Sequence, residues 1–183
     1  MRSIAAILAV AALLSLGGCK KAGEAVSEKA TEKAIESALQ KEGTQAKVDI
    51  AGGSVRMTTT DASGKTSEYQ MGSAAVTEND VGVPFYPGAQ ALEGQSSRLT
   101  TPDGSTVSIA LRSGDAPAKV AGFYRDHLKA LSEGKQFVEM SGGEGNTMLA
   151  LSDEKSQSAV QVVIDKADAE TQIQIVAQRR TPK

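Results

Sequence analysis

Between residues 22 and 42, apolar side chains recur every three or four positions: Ala25, Val26, Ala30, Ala34, Ile35, Ala38 and Leu39. That spacing predicts one amphipathic helix with a narrow, alanine-rich stripe, stopped by Gly43. Glu24, Glu28, Glu32 and Glu36 repeat four apart and are assigned to the opposite, solvated face. The pairs Lys29–Glu32 and Lys33–Glu36 offset the mild repulsion among these acids. The period then changes to two. Lys47-Val48-Asp49-Ile50, Val55-Arg56-Met57-Thr58 and residues 66–71 read as strands, separated by turns at 51–54 and 61–65. Val48, Ile50, Val55, Met57, Tyr69 and Met71 can share one face, on which the helix stripe would rest. About fifty residues with few large side chains give this first unit a thin core that needs a neighbour.

Residues 73–80 are small and polar and read as a linker. In Val81-Gly82-Val83-Pro84-Phe85-Tyr86-Pro87-Gly88-Ala89, two prolines hold the backbone extended and lead into a turn at Pro87-Gly88. This segment is expected to plug the edge of its own domain rather than to dock a partner. A strand near 94–100 turns at Thr101-Pro102-Asp103-Gly104 into the alternating run Val107-Ser108-Ile109-Ala110-Leu111. Asp115 is the expected N-cap of the helix that follows, with Pro117 in its first turn. Val120, Phe123, Tyr124, Leu128 and Leu131 make its apolar stripe, and Gly134 ends it. Strands are predicted at 136–141, 147–152, 159–165 and 171–178, with Gly142-Gly143-Glu144-Gly145-Asn146 as a hairpin turn. The expected fold class is α+β: an N-terminal helix plus three-stranded meander, then a ββαββββ mostly antiparallel sheet with one helix on one face.

The chain begins differently. Met1 and Arg2 precede an apolar run from Ile4 to Leu16 relieved only by Ser15, about 13 residues long. A bilayer-spanning helix needs about 20, so the run has the length of a signal-peptide core instead. It closes on Leu16-Gly17-Gly18-Cys19-Lys20, which holds the only cysteine of the chain. This string resembles the lipobox of bacterial lipoproteins. The resemblance implies cleavage before Cys19, a diacylglyceryl group on its thiol and further acylation, palmitate included, on its amine. An ordinary secretory signal with a cysteine near its cut site is the competing reading. One acyl chain binds a membrane marginally, at about 0.8 kcal/mol per buried CH₂, while two or three anchor stably. Lys20 and Lys21 follow at headgroup height, where each adds about 1 kcal/mol near an anionic surface. Lys20 also stands where the family's inner-membrane signal is an aspartate, so the resemblance implies the periplasmic face of the outer membrane. The expected organisation is a signal peptide at 1–18, an acylated first unit at 19–72, the linker, and an α+β domain at 81–183. The Val-Pro-Phe-Tyr-Pro-Gly-Ala lead-in, with Phe123-Tyr124-Arg125 in the helix, resembles a domain of poorly characterised envelope lipoproteins. That resemblance covers residues 81–178 and implies no catalytic residues.

Composition narrows the functions. Twenty basic against 22 acidic side chains leave a formal net charge of −2, with no electrostatic footprint for nucleic acid. Tryptophan is absent and aromatics are 3% of residues, which disfavours stacking platforms for bases or sugars. With one cysteine there is no internal disulfide, so the folded part rests on its core alone. His127 is the only histidine and has no cysteine or carboxylate partners at zinc-site spacing. No Gly-x-Ser-x-Gly elbow accompanies it. The glycine run at 142–145 lacks the helix and lysine of a phosphate cradle.

These features lead to an expectation of a lipid-anchored, non-catalytic binding or assembly module with no cofactor and no metal. Its anchor would be Cys19, flanked by membrane-proximal Lys20 and Lys21. Its partner would be a protein, peptidoglycan or lipid of the envelope. The alternative is a carrier holding a small apolar or lipid ligand between helix 116–131 and the sheet. A hydrolase using His127 ranks third.

Overall fold

A computed structural model describes residues 24–41, 43–72 and 76–181. The chain is α+β and rich in antiparallel strand, and it divides between Gln70 and Met71 into two compact units.

In the first unit, helix α1 (Glu24–Lys41) precedes strands β1 (Gln45–Ala51), β2 (Ser54–Thr60) and β3 (Thr66–Met71), in the order β1-β2-β3. Gly43 adopts a φ of +82°, open to glycine at little cost, and its N–H reaches the Gln40 carbonyl at 3.0 Å to close the helix. β1 and β2 pair antiparallel with Val48 opposite Met57 and Ile50 opposite Val55. Ile35, Leu39, Val48 and Met57 form the core, with Ala46, Ile50 and Tyr69 against it.

Helix α1 is rotated from the expected orientation. Ala30, Ala34 and Ala38 are exposed, whereas Glu28, Glu32 and Glu36 are half-buried beside Ile35 and Leu39. Two bonds account for the rotation. The Glu36 carboxylate accepts the Val48 N–H and the Glu32 carboxylate accepts the Ile50 N–H, both at 2.8 Å. An alanine methyl gains little from burial, while an edge-strand N–H left without an acceptor costs about 1–3 kcal/mol. The acids therefore turn toward β1 and the alanines toward solvent.

The second unit holds α2 (Glu78–Val81), β4 (Gln90–Thr101), β5 (Gly104–Ser113), α3 (Pro117–Ala130) and β6 (Gln136–Ser141). A short 3₁₀ turn (Gly143–Gly145) then leads to β7 (Thr147–Asp153), β8 (Ser158–Ala167) and β9 (Glu170–Arg180). Its strands lie in the order β4-β5-β9-β8-β7-β6. Alternation puts one apolar set on a single face: Val107, Ile109 and Leu111 stand opposite Ala177, Ile175 and Ile173, which in turn face Val160, Val162 and Ile164. Val120, Ala121, Tyr124 and Leu128 of α3 cover that face. At its centre Val120, Tyr124, Leu128, Leu149, Val162, Ile164, Ile173 and Ile175 are all 0% exposed, so no water-sized gap touches them. At Gly104, φ is +149° and any Cβ would strike the backbone of Arg179 and Arg180 on β9, so β5 starts there only with glycine.

Several expectations need correction. Residues 78–80, the end of the expected linker, form a helical turn together with Val81. It is set at Thr77 and Asp80: the Asp80 carboxylate accepts the Thr77 N–H and hydroxyl, both at 2.8 Å, and the Asp80 N–H reaches the Thr77 carbonyl at 3.0 Å. β4 begins earlier than expected, at Gln90, with a register shift between Ala91 and Ser96. Helix α3 is capped by Ala116, not Asp115, because Pro117 takes the first helical position and leaves Asp115 one residue outside. The helix ends at Ala130, before Gly134, and Leu131 is its C-cap, past the last residue that the sheet covers, and 44% exposed.

Candidate functional site

The expected lipidation residue Cys19 and its neighbours Lys20 and Lys21 lie outside the described residues. Among the described residues, the densest polar constellation surrounds Asp115. The Tyr86 hydroxyl donates to its Oδ2 at 2.6 Å, and the Lys119 ammonium donates to the same oxygen at 2.9 Å. Its backbone N–H reaches Ser113 Oγ at 3.2 Å, and its carbonyl accepts the buried Thr171 hydroxyl at 2.6 Å. Tyr86 is also held from behind: its N–H donates to the hydroxyl of fully buried Tyr124 at 3.0 Å.

The electrostatics follow from these contacts. The Tyr86 hydroxyl and then the Lys119 ammonium hold the Asp115 carboxyl below the usual carboxylate range. The same hydrogen bond pushes the Tyr86 phenol up, and burial pushes the Tyr124 phenol up further, keeping both neutral donors or acceptors. Phe123 stands edge-on to both rings, at centroid distances of 5.2 Å from Tyr86 and 5.1 Å from Tyr124. The constellation is a latch. With the Glu78 carboxylate accepting the Phe85 N–H at 2.7 Å, it seats the Pro-Phe-Tyr-Pro segment over the core, where Val81, Val83 and Tyr86 are buried. The segment thus packs within its own unit, as its sequence led us to expect. Sequence reasoning marked Tyr86, Asp115 and Tyr124 separately; only the fold brings them together.

A solvent-open depression adjoins the latch, lined by Asp115, Pro117, Gly145, Lys166, Asp168 and Glu170 among others. One lysine faces three acids there, and the acid nearest the helix is already held by Tyr86 and Lys119. His127 is exposed on α3. Its Nδ1 lies 2.9 Å from the Phe123 carbonyl, which can only accept, so that nitrogen carries the proton. Its ring leans on Phe123 at 4.3 Å. Both contacts are structural ones to its own helix. Among the described residues, no three His, Cys, Asp or Glu side chains are grouped to hold a metal, and no buried side-chain polar atom lacks a partner.

The remaining feature is a surface. On β6, Phe137 packs on the core and Glu139 takes the Arg125 guanidinium in a two-pronged pair, with contacts of 3.0, 3.0 and 2.6 Å. Both therefore face α3. Val138 and Met140 alternate to the opposite face, where they are 39% and 53% exposed. They continue across β7 to half-buried Ala150 and Met148. No protein-family model, curated protein or solved structure matches the chain.

Proposed function

We propose that the chain is a lipid-anchored bacterial cell-envelope lipoprotein that acts by binding or assembly and carries out no chemistry of its own. The observation that carries this reading is Cys19, the only cysteine, closing an apolar run at Leu16-Gly17-Gly18-Cys19. Acyl chains on Cys19, with Lys20 and Lys21 at the headgroups, would hold the protein at the periplasmic face of the outer membrane. Residues 81–183 are then presented as one ββαββββ domain whose partner is an envelope protein, peptidoglycan or lipid. The exposed Val138 and Met140 on the face away from α3 favour this reading. The alternative, a carrier of an apolar ligand, needs space between α3 and the sheet. The side chains meeting there are fully buried against one another, so a carrier would have to open its own core.

The test is processing. Cys19→Ser is expected to leave an unprocessed precursor in cells. The unaltered protein should partition into detergent with a mass increased by acyl chains. A soluble, unacylated mature chain would overturn the reading.

A further inference from the structure

We infer that β6 is a self-pairing edge, through which the second unit joins a second copy of itself across a twofold axis. Among the described residues, β6 ends the strand order and is paired on one side only, with β7, in an unbroken register from Gln136 to Ser141. Such an edge presents free backbone donors and acceptors, and natural sheets blunt it with lysine, proline or a bulge. Gln136-Phe137-Val138-Glu139-Met140-Ser141 has none of these. Its single charge is neutralised by Arg125 within the same unit. The first unit treats β1 differently, setting two carboxylates on its edge N–H groups.

A second copy fits because the edge is complementary to itself in one register. Antiparallel pairing that keeps α3 on the same side in both copies can place Val138 opposite Val138. Met140 then faces Gln136 of the other copy, and Glu139 faces Phe137. The ammonium of Lys129 stands 5.9 Å from the centre of the Phe137 ring, so each Glu139, already paired with Arg125, also lies toward the other copy's Lys129, twice over by symmetry. Shifting by one pair would set Glu139 against Glu139 and lose this match. Val138 and Met140 of both strands would join on the open face. Six residues a side make a small interface, which places the dimer in the weak, transient class. The pairing does not depend on acylation of Cys19.

The test uses the full chain carrying Cys19→Ser, in non-ionic detergent, so that it reads β6 pairing whether or not the anchor proposal holds. Val138→Cys and Met140→Cys are oxidised in parallel. Met140 is the more exposed, so random collision favours its crosslink. The pairing favours Val138 instead, because the two Met140 positions lie about 13 Å apart in this register. We expect Val138→Cys to form the linked dimer about tenfold faster. Sedimentation of the Cys19→Ser chain should show mass rising with concentration, and Val138→Lys should weaken that association about tenfold without moving the melting temperature. Equal or faster crosslinking at Met140 overturns the proposal. So does a chain that stays monomeric at hundreds of micromolar, as it would if the edge takes a strand from another protein. Association unchanged by Val138→Lys overturns it too.

Discussion

The two units each set a helix against an antiparallel sheet, but by different means. In the second, α3 lies across the sheet face, and Val120, Tyr124 and Leu128 on its inner side are fully buried. In the first, Ile35 and Leu39 are the side chains of α1 in the core among the described residues, and Glu32 and Glu36 also hold the helix along β1 through backbone N–H groups. One helix is attached by apolar area alone, and the other adds two hydrogen bonds to an edge strand to a smaller apolar contact. The edges differ to match: β1 is covered by carboxylates, and β6 is left bare. A helix on a sheet face leaves the edges free, and one beside an edge strand closes it.

Truncating the two helices at matched leucines should separate these modes most strongly. Leu128→Ala removes a side chain with no exposure and should cost about 4 kcal/mol. Leu39→Ala, in the thinner core, should cost about 2–3 kcal/mol because its surroundings can relax into the space. Urea unfolding of each variant checks the difference, and equal costs would mean that the first core is as tightly packed as the second. A smaller effect is expected from Glu36→Ala, about 1–2 kcal/mol, since it strips the acceptor from one edge N–H. Hydrogen exchange at the Val48 amide should accelerate while amides at the centre of β9 stay protected. The smallest effect is the pH dependence of the Tyr86–Asp115 latch in the second unit. Asp115 has a lowered pKa in the folded chain, so its contribution is complete above the unfolded value, near 3.8, and is lost as pH falls through the lower folded one. Tyr86 is raised, so its contribution is complete below about 10 and fades as pH rises through its higher folded value. Tyr86→Phe should shrink both limbs, read as melting temperature against pH, while Lys119 keeps part of the Asp115 contribution.

Strands were the most legible part of the sequence, because alternation has a fixed period and each run was bounded by glycine, proline or aspartate. Residues 136–141 and 66–71 were placed to the residue. Helix α1 was located but its buried face was not. Alanines every fourth residue define a stripe too weak to compete with edge N–H groups, and a sequence does not reveal which strand edge a helix will lie beside. The turn at Glu78–Val81 had a readable signal in Thr77-Glu78-Asn79-Asp80, an acid three residues after a threonine, hidden in a stretch otherwise read as linker. Asp115 was read as a cap from local spacing, whereas its partners Tyr86 and Thr171 are 29 and 56 residues away. The proposed anchor was legible only in sequence, and the proposed dimer edge only in the fold.

The two carboxylate contacts along β1 have a geometric limit. Four residues of helix advance about 6.0 Å, while two residues of strand advance about 6.8 Å. The rungs at Glu36–Val48 and Glu32–Ile50 match within the flexibility of a glutamate side chain. Each further rung would fall about 0.8 Å more out of step, like the divisions of a vernier. A longer edge guarded in this manner therefore calls for a helix that curves or tilts to stay in step with its strand.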